Sequence, residues 1–250
     1  MSRTARKKYN SKYFHVITQG INKEYIFKKK EYKEKYKELF ISNAKDNEIK
    51  ILSYCIMDNH THMLLHCKNI EEMSSYMHKI NTTYAFYYNK NEGRVGYVFR
   101  DRFYSEPIQD ERHLKACVAY IHNNPVKAKM VNDPLEYEYS SYRDYINKNG
   151  IVTEEVLRII FDREEKYIDE FINLHKISDE YEFIDINKKD DYSKYLKSLA
   201  KMDIAKLKES EDELKSIIKD CIVVNKIPKT ELAKVLKISR DKIYKILKLI

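Results

Sequence analysis

His60 and His62 stand one residue apart, directly after the turn-like pair Asp58-Asn59 and at the head of the apolar run Met63-Leu64-Leu65. On a β-strand, residues i and i+2 point to one face, so this spacing presents two imidazoles side by side. Neutral imidazole is the commonest side-chain metal ligand, which makes the pair a candidate for a divalent cation. Histidines at this spacing also occur as ordinary core or surface residues, and the pair alone does not decide between the two. Further along, Tyr120 and Asn124 are i and i+4 on a segment with helical periodicity, so a phenol and an amide share one helix face. Taken alone, that tyrosine reads equally as a packing residue.

The elements that must position these groups follow from the apolar spacing. Tyr13 to Gln19 reads as a first strand closed by Gly20, and Glu31 to Asp46 as a charged helix with Tyr32, Tyr36, Leu39 and Phe40 on one side. Lys50 to Met57 and His60 to Cys67 read as two strands of a short hairpin, which sets the histidine pair at the sheet's edge near a turn. Glu71 to Asn89 is a helix whose Met73, Tyr76, Met77, Ile80, Tyr84 and Tyr87 belong to the core. After a turn at Asn91-Glu92-Gly93, Val95 to Ser105 reads as a strand with Arg100 and Arg102 on one face, where they are candidate phosphate contacts. In the last helix Leu114, Cys117, Val118 and Ile121 form the apolar stripe, Asp110 is the N-cap, and Pro125 stops the helix near Asn124. This order predicts an α+β fold, a ferredoxin-like antiparallel sheet with helices on one face, followed by an all-α C-terminal region.

Three stretches together, His60-Thr61-His62, Phe99 to Pro107, and Tyr120 to Ala128, resemble the single-tyrosine HUH transposases of the insertion-sequence-200-like superfamily, nearest the REP-associated tyrosine transposase branch. The resemblance spans roughly residues 10 to 132. Thr61 and Asp58 depart from the family pattern, which usually has a bulky apolar residue and commonly a proline there. The resemblance implies cleavage and rejoining of single-stranded DNA at hairpin-flanked sites. His60, His62 and Asn124 would hold one Mg²⁺ or Mn²⁺, and Tyr120 would be the nucleophile that forms a 5′-phosphotyrosine. Lys127 joins Arg100 and Arg102 as a candidate DNA contact, and His122 is structural. Other readings are an HUH replication or conjugation nickase, a DNA-binding regulator with a vestigial HUH site, or a hydrolase that uses water.

Composition bounds the rest. A net charge of +8, with 34% charged residues among 250, points to a polyanionic partner. Cys55, Cys67, Cys117 and Cys221 show no metal-ligand spacing and are expected reduced and partly buried. No segment has the length and apolarity of a membrane span and no apolar leader follows the basic residues 1–12, so a cytoplasmic protein is expected.

The expected division is a catalytic domain over 1–135, a helical connector over 136–205 and a helix-turn-helix tail over 206–250. In the tail, Pro228 and Thr230 suit a helix start and Ser239 can cap a second helix. Leu236, Ile238, Ile243 and Ile246 would close a small core, leaving Arg240, Lys242 and Lys245 for the major groove of duplex DNA. Lys237 replaces the glycine often found in the turn. Whether the chain forms a homodimer is left open.

Overall fold

The computed structural model describes residues 11–46, 48–100, 102–161, 167–176, 183, 199, 211–219, 221–222 and 229–248. The basic residues 1–10, Asp101 and Pro228 lie outside them. The chain divides into two compact units, Met1–Phe183 and Ile184–Ile250.

Four strands, β1 (Tyr13–Gln19), β2 (Lys50–Ile56), β3 (His60–His66) and β4 (Tyr104–Pro107), form an antiparallel sheet in the order β2-β3-β1-β4. Phe14, Val16, Met63 and Leu65 face α1 (Lys30–Asp46) and α2 (Ile70–Asn91). Leu64, Leu52 and Cys55 face α3 (Glu111–Lys127) instead. Helices therefore cover both faces of the sheet, which corrects the expectation of one. The reason lies in β3, which is buried at every position from His60 to Leu65 and leaves neither face for water.

β3 is an interior strand, so the histidine pair opens a central strand rather than lying at the sheet's edge. In β2, Leu52 is an extra residue between the pairs Ile51–Leu65 and Ser53–Leu64. This bulge resets the alternation: Leu52 and Ser53 both serve the α3 side, and Tyr54 returns to the α1–α2 side. The expected strand over 95–105 is shorter and later. Only residues 104–107 pair along β1, and the preceding stretch contributes a single bridge, Phe99 to Gly20. Gly96, at φ 102°, interrupts the extended run.

α3 starts where its predicted cap sets it, and α2 is capped by Asn69. Asn69 accepts from the N–H of Glu72 at 2.8 Å, and Asp110 from the N–H of His113 at 2.8 Å. α3 does not stop at Asn124 but runs on to Lys127 with Pro125 inside it. The proline withholds one N–H from the helix, and the chain turns off within a turn, so the loss is confined to one bond near the end. The tyrosine richness serves the core: the hydroxyls of Tyr76 and Tyr84 donate to the carbonyls of Phe40 and Ile26 at 2.7 and 2.6 Å. All four cysteines are buried.

Three further helices, α4 (Tyr142–Asn147), α5 (Glu154–Phe161) and α6 (Tyr167–Leu174), bury Tyr145, Leu157, Ile160 and Phe171 in the core beneath α3. The first part of the expected connector is thus integral to the first unit. In the second unit, α7 (Glu211–Lys219), α8 (Lys229–Leu236) and α9 (Arg240–Lys248) share a small core of Leu214, Ile218, Leu232, Leu236, Ile243 and Ile246. Ser239 accepts from the N–H of Lys242 at 3.2 Å and caps α9, while Lys237 adopts the left-handed conformation at φ 49° that glycine usually fills. Among the described residues, no helix is long and apolar enough to cross a membrane.

Candidate active site

The site is built on the α3 face of β1 and β3. His62 is fully buried and His60 nearly so, with ring centroids 4.9 Å apart. Strand register brings in a third imidazole. His15 lies diagonally from His62 across the β1–β3 ladder, and its Nε2 is 3.0 Å from His62 Nδ1. On its other side, His15 pairs directly with Glu106 on β4, and its Nδ1 is 2.7 Å from Glu106 Oε1.

This chain has a direction. Glu106 can only accept, so His15 Nδ1–H donates to it. In the arrangement that adds no charge, His15 Nε2 then accepts from His62 Nδ1–H, and His62 Nε2 keeps its lone pair. That nitrogen is buried without a hydrogen-bond partner. Burial, with His60 and His15 beside it, holds the His62 imidazole well below its ordinary range, so the ring is neutral. His60 is steadied from the turn, its Nδ1 lying 2.6 Å from Asn59 Oδ1.

α3 lays Tyr120 against this cluster. Its ring centroid is 5.6 Å from that of His62 and 5.7 Å from that of His15, edge-on to both. Phe183 stacks on its other side at 4.7 Å, leaving Tyr120 5% exposed. Lys127, two turns along the same helix, holds its ammonium 4.8 Å from the Tyr120 ring centre. Asn124, also buried, donates its amide nitrogen to the carbonyl of Tyr120 at 2.9 Å. That leaves its Oδ1 as the side-chain atom able to ligate a cation.

The donor set suits a hard or borderline divalent cation. Two imidazoles and an amide oxygen are oxygen–nitrogen donors that leave coordination positions for phosphate and water. The orphaned Nε2 of His62 is the observation that fits such a group, because a buried polar atom with no partner is costly unless something meets it. Among the described residues, no group of three or more histidine, cysteine or acidic side chains is arranged to hold a metal, so any such centre relies on Asn124 or on substrate oxygens.

The arginines lie elsewhere. Arg100 and Arg102 are exposed and line a groove along α2, on the other side of the sheet from Tyr120. Lys242 and Lys245 are exposed on α9; the side chain of Arg240 lies outside the described residues. The two departures from the motif pattern are accommodated locally. Asp58 pairs with the buried Lys33 at 2.6 Å, and Thr61 is buried opposite Thr18 on the α1–α2 side.

Sequence reasoning missed His15 and Glu106. The available signal was a lone histidine inside the apolar strand Tyr13-Phe14-His15-Val16-Ile17. A carboxylate 91 residues away in sequence gave none.

The fold and this cluster define a small α+β domain in which a histidine pair on a central strand meets a tyrosine from a covering helix. Residues 8–124 match the family model described as "Transposase IS200 like". The resemblance read from the three motifs is borne out by this match, which spans the histidine pair, Tyr120 and Asn124. A REP-associated tyrosine transposase of Haemophilus influenzae is 21% identical over 140 residues, which span 52% of this chain and 78% of that protein. A solved REP-associated tyrosine transposase, bound to a REP hairpin, has the same fold with a TM-score of 0.50 and 18% identity. The match covers 61% of this chain and 91% of that one.

Proposed function

We propose that the chain is a metal-dependent transposase that cleaves and rejoins single-stranded DNA at hairpin-flanked sites through a 5′-phosphotyrosine on Tyr120. The observation that carries this reading is the packing of Tyr120 against His62, whose Nε2 is buried, bare and oriented by the His15–Glu106 pair. His60, His62 and Asn124 would hold one Mg²⁺ or Mn²⁺. A bound divalent ion supplies neutralisation of the charge that develops on a non-bridging oxygen of the scissile phosphate.

The residues themselves do the rest. The Tyr120 oxygen attacks phosphorus as the bond to the 3′ oxygen breaks. The phenolic proton is released to solvent, and the departing 3′ oxygen takes one from water. Lys127 places a positive charge over the ring, which favours the phenolate over the phenol. The new phosphoester keeps the energy of the old one, so a second 3′-OH can displace the tyrosine without a nucleotide cofactor. His15 and Glu106 act on His62, holding the tautomer that exposes its lone pair. Hairpin DNA as substrate is supported by the solved relative, which is bound to a REP hairpin. Lys242 and Lys245 on the capped helix α9, with Arg240, would add a contact to duplex DNA as a helix-turn-helix.

The test incubates labelled hairpin DNA from the sequence flanking the gene with Mn²⁺ and the full chain, then looks for an SDS-resistant adduct. The expected result is a metal-dependent adduct that Tyr120→Phe abolishes. An equal adduct in Tyr120→Phe, or turnover with no adduct, overturns the assignment.

A further inference from the structure

A large groove lies away from the histidines. It holds about 1200 Å³ and runs between the solvent side of α2 and residues 96–103. Its α2 wall flanks the helix's buried face and extends from Glu71 to Asn89, roughly 27 Å at the helical rise of about 1.5 Å per residue. On this wall Ser75 and Thr82 alternate with Ala85 and Phe86, and Glu71 is the one acid on it. The opposite wall carries Arg100 and Arg102. At the rim, Phe86 and Tyr97 are 73% and 83% exposed, far beyond what a soluble surface asks of two aromatic rings placed together.

We infer that this groove is a track for single-stranded DNA, with Phe86 and Tyr97 as platforms for bases and Arg100 and Arg102 as phosphate contacts. Every base has a π-face, so exposed rings beside arginines hold a single strand without reading its sequence. A wall with a single carboxylate suits a polyanion, which a wall rich in carboxylates would repel, and in a chain that is about one-third charged such a wall is not a default surface. The track is also preformed. Asn89 donates its amide nitrogen to the carbonyl of Gly96 at 2.9 Å, and the N–H of Ile21 donates to Val98 at 2.9 Å, which fixes the loop that carries Tyr97.

The groove reaches the histidines through one residue. The N–H of Arg100 donates to the carbonyl of Gln19 at 2.9 Å and its guanidinium to Gln19 Oε1 at 3.4 Å. Gln19 is the register partner of His60, and its own Nε2 is buried without a partner. Gln19 thus ties Arg100, on the groove, to the strand pair that carries His60. This inference rests on the reading of the chain as an enzyme of single-stranded DNA and assigns where the unpaired part of that substrate lies.

The experiment measures binding of the full chain by fluorescence anisotropy to one DNA hairpin, blunt or carrying a short oligo-thymidine tail at either end. Wild type is expected to bind one tailed form more tightly than the blunt form. Phe86→Ala and Tyr97→Ala should each lose about tenfold on the tailed form and nothing on the blunt one. Both residues are exposed, so folding is not at stake, and Arg100→Gln should flatten the salt dependence of tail binding by about one counterion.

No gain from either tail in wild type, or tailed binding unchanged in both aromatic variants, overturns the track. Loss of self-association in Phe86→Ala, with DNA binding intact, overturns it in favour of a contact between copies. The adduct assay separates the two readings. Adduct formation with unchanged binding in the variants refutes the track alone. Ring-dependent tail binding without any adduct leaves the track standing and refutes the catalytic assignment.

Discussion

Tyr120 and His122 lie two residues apart on α3 and enter two buried histidine networks of opposite character. On one side, the network ends on a bare atom: Glu106, His15 and His62 are linked at 2.7 and 3.0 Å, and His62 Nε2 meets nothing. On the other, every ring nitrogen is matched. His175 Nδ1 donates to the carbonyl of Phe171 at 2.7 Å, so its Nε2 accepts from His122 Nδ1–H at 2.9 Å. His122 Nε2 in turn accepts from Ser141 at 2.7 Å and lies 3.1 Å from Ser53. A backbone carbonyl thus sets the tautomers of the whole second network. A closed network of this kind stabilises a core, whereas one that stops at a buried lone pair is poised for something not yet there.

The largest expected effect separates the two networks by stability. His122→Ala leaves Ser53, Ser141 and His175 without their shared partner and should cost about 2–4 kcal/mol in denaturant unfolding. His62→Ala removes a group already short of a partner and should cost clearly less, while abolishing Mn²⁺ binding followed by electron paramagnetic resonance. Equal losses of stability in the two variants would erase the distinction.

Next in size is Glu106→Gln. It weakens the anchor of His15 and, through it, the orientation of His62, so Mn²⁺ affinity should fall about 10–100-fold with little change in melting temperature. Unchanged affinity would reduce the pair to cross-strand packing.

The closed network also predicts a pH response. Burial, with His175 beside it, holds His122 well below its ordinary value, and burial brings His175 down to about 4 against the opposing pull of the Phe171 carbonyl. A histidine whose folded value is lowered takes up protons on unfolding, so its stabilisation is complete above the ordinary value of about 6.5. That stabilisation is lost progressively as pH falls from there towards about 4. Melting temperature should therefore drop between pH 7 and pH 5, and His175→Gln should flatten part of that slope. A slope unaffected by the substitution would assign the response to other groups, His62 among them.

The smallest effect lies outside both networks. Lys237 holds a left-handed backbone between α8 and α9, so Lys237→Gly should stabilise the second unit by about 1 kcal/mol or less. Differential hydrogen exchange of α8 and α9 would read it.

Much of this was legible locally. The histidine pair, the cap at Asp110, and the stripes of α1 and α2 are set by neighbours within a few residues, and the chain reads them without help from the fold. β1 is found with the bounds its pattern predicts. Pro125 shows the limit of such local rules: its geometry argues for a stop, but α3 is held from Glu111 onward by the core it buries and runs past the proline.

What only the tertiary structure decided are the relations between distant strands. The order β2-β3-β1-β4 makes β1 central, and only then do His15 and Glu106 become neighbours and reach His62. The bulge at Leu52 turns Ser53 towards His122, although period-two reading would send Leu52 and Ser53 to opposite faces. The location of Arg100 and Arg102 along α2, away from Tyr120, likewise depends on how the chain passes from α2 to β4. Sequence spacing reports which side chains share a face of one element. Which faces meet is settled by the burial of both sides of one sheet, a property of the whole chain that no single segment carries.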